Sequence, residues 1–194
     1  MLNASTHTRA HTRAHFSTAA LTLALLAAAG SAAAMHHGHG FKQDGLPDGV
    51  KVPAGNAVML ETVGVGEITY ECRAKKDTTD QFEWVFAGPD AKLMDRAGKQ
   101  VGRYYGPPAT WEATDGSKLT ATQLAVAPGG AGNIPLQLVK ANPAMGQGAM
   151  QGVSYIQRVA TQGGVAPAAP CGQPQLGSKQ VVKYQADYIF WRAQ

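Results

Sequence analysis

Apolar and polar residues alternate with a period of two over several stretches, and the clearest lies near the C-terminus. There Val182, Tyr184, Ala186, Tyr188 and Phe190 interleave with Lys183, Gln185, Asp187 and Ile189, as expected of a strand with one buried face. Phe82, Trp84 and Phe86 alternate with Glu83 and Val85 in the same way. Both aromatic rows are expected in the core, because interiors take large side chains first. After residue 45 the runs are short and bounded by Gly, Pro, Asn and Asp, and none keeps an apolar period of 3.6 over ten residues.

The pattern predicts strands at Ala57 to Val63, Glu67 to Arg73, Phe82 to Ala87, Lys99 to Tyr105, Thr110 to Ala113, Lys118 to Val126, Leu136 to Lys140, Val153 to Thr161 and Gln180 to Trp191. The expected fold is all-β, an antiparallel sandwich or barrel of about nine short strands. Asp95-Arg96-Ala97-Gly98 and Asp115-Gly116 read as hairpin turns, with Gly supplying positive φ, and Gly88-Pro89-Asp90 reads as another turn. Pro128 to Asn133, Ala141 to Gly152 and Gln162 to Pro174 read as irregular connections.

The first 34 residues follow another rule. They carry Arg9 and Arg13 but no acidic side chain, then an Ala/Leu run from Ala19 to Ala29, then Ser31 to Ala34. This predicts a secretory signal peptide with a mature start at Met35. The apolar run is shorter than the roughly 20 residues a membrane anchor needs. The expected organisation is 1–34 signal peptide, 35–45 His/Gly-rich flexible tail and 46–194 a β domain, exported to the periplasm or the extracellular medium.

Of 17 basic and 13 acidic residues, the expected mature chain keeps 15 and 13. Lys75 and Lys76 form the only adjacent basic pair and lie among Glu71, Asp77 and Asp80. No basic stripe offers a phosphate footprint, so nucleic acid is not an expected partner. Export would put Cys72 and Cys171 in an oxidising compartment, where a disulfide between them is expected.

Histidine constrains the chemistry most. The six are His7, His11, His15, His36, His37 and His39, so the β domain has no imidazole of its own for a Ser-His-Asp triad, a Cys-His pair or a His-ligated zinc. Carboxylate chemistry stays open through Glu112, with Asp115 or Glu83 as partner, because glycosidases need two carboxyls beside a sugar. Turns and solvated strand faces account for the same residues. Gly102 to Glu112 concentrates aromatic, Pro and charged residues. Arg103, Tyr104, Tyr105, Trp111 and Glu112 are therefore the candidate ligand-binding set, for a glycan, cell-wall or aromatic ligand. The alternative is a Pro-stiffened crossover that packs Trp111 into the core.

The order of several motifs resembles a known family. These are Tyr70-Glu71-Cys72, Phe82-Glu83-Trp84-Val85-Phe86, Gly106-Pro107, Trp111-Glu112, Asp115-Gly116-Ser117, Tyr155-Ile156-Gln157-Arg158-Val159, Gly163-Gly164, Cys171 and Tyr184-Gln185-Ala186-Asp187-Tyr188. They are similar to an exported bacterial and fungal family catalogued as a domain of unknown function, DUF3455, over about residues 46 to 192. The resemblance implies an exported single domain and supplies no activity.

A last expectation concerns the tail. Cleavage after Ala34 would leave a free amine on Met35, followed by His36 and His37. Amine, two amides and a third-position imidazole make a square-planar nitrogen site for Cu(II) or Ni(II). The alternative is a linker that happens to contain histidine, with no cofactor.

Overall fold

The computed structural model describes residues 40–194. Eight strands form in chain order: β1 (Asn56–Ala74), β2 (Phe82–Met94), β3 (Gln100–Tyr105), β4 (Thr110–Ala113), β5 (Lys118–Ala127), β6 (Leu136–Ala141), β7 (Val153–Gly163) and β8 (Lys179–Ala193). Each pairs antiparallel with the next, and β8 pairs with β1, so the ladder closes into a barrel. No helix among the described residues is long and apolar enough to cross a membrane.

There are eight strands rather than nine, and several are long. The two strands predicted at Ala57 to Val63 and Glu67 to Arg73 are one, because Gly64 and Gly66 lie in extended backbone inside β1. These glycines make room instead of a turn. A Cβ on Gly64 would press on the Tyr188 ring, and one on Gly66 would run into the carbonyl of Asp90 and into Ala91. Gly88-Pro89-Asp90 likewise lies within β2 rather than in a turn. The β1 ladder shifts register between Thr69 and Tyr70, opposite Gly88. Pairing of β2 with β3 begins only at Asp90, so the missing N–H of Pro89 costs no bond on that side.

The interior holds Ile68, Leu93, Tyr104, Trp111, Leu119, Ile156, Tyr184, Tyr188 and Phe190. The aromatic row of β8 is thus core, as its alternation predicts. The row of β2 is not: Phe82 and Trp84 are half-buried and Phe86 is exposed. Ile189 sits on the face that reads as polar, yet it is fully buried. Residues 41–52 cover that face, where Val50 and Val52 pack with Leu138, Val159, Ile189 and Trp191. Phe41 meets the Trp191 ring edge-on at 6.3 Å. Gln157 ties this cover down, its Nε2 donating to the carbonyl of Val50 and its Oε1 accepting from Trp191 Nε1.

Cys72 and Cys171 form the disulfide, across a sequence separation of 99. It fastens the segment between β7 and β8 to the end of β1. Cys72 N donates to Ser178 O, and Trp84 Nε1 donates to Ala169 O. The expected signal peptide and the tail candidates Met35, His36 and His37 lie outside the described residues.

Candidate functional site

Strand alternation divides the five candidate binding residues between two faces of the β3–β4 hairpin. Arg103 pairs with Glu112, and Tyr104 pairs with Trp111. Arg103, Tyr105 and Glu112 point outward. The Tyr105 hydroxyl donates to Glu112 Oε2 at 2.7 Å, and Arg103 Nη2 donates to both carboxylate oxygens at 3.1 Å. The Arg103 guanidinium also lies 4.5 Å from the centre of the Tyr105 ring. The Tyr105 hydroxyl first, and then Arg103 and Lys118, hold the Glu112 carboxyl below its ordinary range. The carboxylate is committed within the cluster, while Arg103 Nε and Nη1 face solvent, and the groove beside it measures only about 150 Å³.

Tyr104 and Trp111 point into the barrel. Their rings stack at 4.6 Å, and Tyr104 meets Tyr188 at 5.1 Å. Trp111 is 2% exposed, and its Nε1 finds no hydrogen-bond partner among the described residues. Buried polar groups are normally paired, so an orphaned indole N–H calls for an account.

The three carboxylates do not assemble. Asp115 clamps the β4–β5 turn: its Oδ1 accepts from the backbone N and hydroxyl of Ser117, and its Oδ2 accepts from Ala149 N. Those bonds lower its pKa, the Ser117 hydroxyl foremost. An acid/base pair needs one carboxyl pushed upward, whereas Glu112 and Asp115 are both pushed down. Glu83 lies opposite Arg73 near one end of β2, while Lys92 is the β2 residue level with Arg103 and Glu112. Nine residues of strand separate Glu83 from that level, roughly 25 to 30 Å. Paired glycosidase carboxyls lie within about 10 Å.

Strand lengths create a feature the sequence did not announce. β3 stops at Tyr105 and β4 starts at Thr110, joined by Gly106 to Ala109 with both prolyl bonds cis. β2 runs on to Phe82, and β5 runs on to Ala127. Phe82 to Pro89 therefore has no partner on the β3 side, and Ala121 to Ala127 has none on the β4 side. The wall has a gap there. Exposed apolar side chains rim it: Phe86 at 49%, Leu124 at 52% and Val126 at 51%.

At the solvent-exposed mouth of the gap lies a polar layer. Gln137 Nε2 donates to Gln123 Oε1 at 2.6 Å, and Gln137 pairs across the ladder with Arg158. Arg158 shares the inward face of β7 with Ile156, while Gln157 and Val159 face the N-terminal cover. Burial raises the hydroxyl pKa values of Tyr70, Tyr104, Tyr184 and Tyr188, and the nearby Arg158 charge acts against that rise at all four. The phenols stay neutral and able to donate. Sequence reading missed Arg158, Gln123 and Gln137 as site residues. The alternation of Tyr155, Gln157 and Val159 against Ile156 and Arg158 is the signal that places Arg158 on the face of Ile156.

The sequence profile described as Protein of unknown function (DUF3455) matches residues 53–192. The chain belongs to this family. No curated protein and no solved structure matches it. The DUF3455 domain also carries an outer groove of about 470 Å³ over β7, β8 and β1, lined by Val65, Glu67, Gln162, Lys183 and Gln185. Among the described residues, the side chains of Glu67, Gln162, Lys183 and Gln185 make no hydrogen bond to one another or to other groups.

Proposed function

We propose that this DUF3455 domain is an exported, non-catalytic binding module that admits a small molecule through the gap between β2 and β5. The gap is the observation that carries this reading. It joins an apolar rim to inward-facing polar groups whose bonds are not all made, whereas the outer Arg103–Tyr105–Glu112 cluster already commits its carboxylate and its phenol. Eight strands make an interior that side chains can fill or that can hold one small ligand. Two features argue for binding without turnover: no histidine follows residue 39, and the carboxylates are dispersed. The disulfide supports export, since such bonds persist in oxidising compartments.

The outer groove favours a second reading. Two amides, a carboxylate and an ammonium around exposed Val65 suit the mixed donors and acceptors of a glycan. Thermal-shift titration of the mature protein with single-ring aromatics and with oligosaccharides separates the two. The first reading expects aromatics to raise Tm, with the shift reduced in Phe86→Ala and intact in Gln185→Ala. Stabilisation by oligosaccharides that Gln185→Ala abolishes would favour the second. No shift with either class would count against both.

A further inference from the structure

The interior of the gap says more about what it accepts. Arg158 is a charged side chain that strand alternation turns toward the barrel interior, paired across the ladder with Tyr188. Its Nε donates to the carbonyl of Pro135 at 3.1 Å, and its Nη groups have no hydrogen-bond acceptor among the described residues. It forms no ion pair there either. The guanidinium head stands at the exposed mouth of the barrel, with its Nη donors uncommitted among the described residues. Its planar fork matches a carboxylate.

The neighbours are short of acceptors. Trp111 Nε1 is a donor and nothing else, and it is orphaned. Tyr184 and Tyr188 hydroxyls meet at 3.2 Å, so one of the two hydrogens is spent between them and the other has no acceptor among the described residues. The Gln123 carbonyl is taken by Gln137. Donors in excess call for a ligand rich in acceptors. The rim supplies apolar contact through Phe86, Leu124 and Val126, while Tyr188 and Phe190, fully buried, fill the barrel interior.

We propose that the ligand is a small organic acid, a carboxylate on a flat apolar body, and that Arg158 is its anion anchor. This rests on the reading that the gap admits a small molecule, and it adds the ligand's charge and the residue that reads it. Inorganic phosphate offers the same charge without the apolar body.

Calorimetric titration of the mature protein with benzoate, benzamide and inorganic phosphate tests the proposal, in wild type, Arg158→Gln and Arg158→Lys. Benzoate should bind wild type about tenfold or more tighter than benzamide or phosphate, the size of one charge-assisted bond. Arg158→Gln should remove that preference while leaving benzamide within about twofold, and Arg158→Lys should keep part of it. Equal binding of benzoate and benzamide by wild type would overturn the anion anchor and leave the binding module standing, and this comparison needs no variant to fold. Benzoate affinity unchanged in Arg158→Gln would overturn the role of Arg158. Phosphate binding as tightly as benzoate would overturn the flat apolar body. Binding of none of the three would overturn both the anchor and the reading on which it rests.

Discussion

The two faces of the β3–β4 hairpin carry similar residues in opposite conditions. Outside, Arg103, Tyr105 and Glu112 satisfy one another through three hydrogen bonds and a stacked guanidinium. Inside, Tyr104 and Trp111 stack in the dark of the barrel, and the indole N–H has no partner among the described residues. Aromatic and charged residues clustered in sequence are therefore a poor guide to a binding surface. What separates the faces is whether a donor left over can reach water, as on Arg103, or cannot, as on Trp111, and that follows from fold geometry rather than composition.

The contrast makes unequal demands on stability. Trp111→Ala should cost about 3 to 5 kcal/mol in urea denaturation, because it leaves a large cavity against Tyr104 and Tyr188. A loss below about 1 kcal/mol would mean that the inner face is not the packed one. Gly102→Ala comes next. Gly102 pairs with Ala113, and an added Cβ would run into the carbonyl oxygen of Glu112. The expected cost is about 1 to 3 kcal/mol, the range for overpacking a fitted site, and an unchanged denaturation midpoint would show that the hairpin yields easily.

The outer cluster should matter least. Glu112→Gln is expected to cost less than about 1 kcal/mol at neutral pH, since exposed ion pairs gain little in water. Its carboxyl lies below the ordinary value of 4.5, so its contribution is present above the unfolded value and is lost as pH falls through the depressed folded one. Thermal melts from pH 7 to pH 3 should show a shallower acid slope in the variant than in wild type. An identical slope would mean that the cluster holds nothing in place.

The period of two told which residues share a face, and β4 and the aromatic row of β8 were legible from it. It could not tell which face is inward where both are covered, so Ile189 read as solvent-facing until residues 41–52 closed over it. Gly64, Gly66 and Gly88 read as turns because sequence does not distinguish a glycine that bends the chain from one that lets a neighbour approach. The candidate site was half legible. Tyr104 and Trp111 were named, but their packing against Tyr188, the cross-strand partner of Arg158, depends on the register of strands distant in sequence. The gap depends on β3 and β4 ending early while β2 and β5 run on.

The central claim is that the gap leads to uncommitted donors inside the barrel, and the three indole N–H groups report on it directly. Trp84 Nε1 is bonded to Ala169 O, Trp191 Nε1 to Gln157 Oε1, and Trp111 Nε1 to no group among the described residues. In a proton–nitrogen correlation spectrum of the mature protein, assigned by Trp→Phe replacement at each position, benzoate titration should shift the Trp111 indole resonance progressively and saturably. The Trp84 and Trp191 resonances should stay nearly still. A Trp111 resonance that does not move while benzoate binds elsewhere, or that moves no more than the other two, would contradict the account.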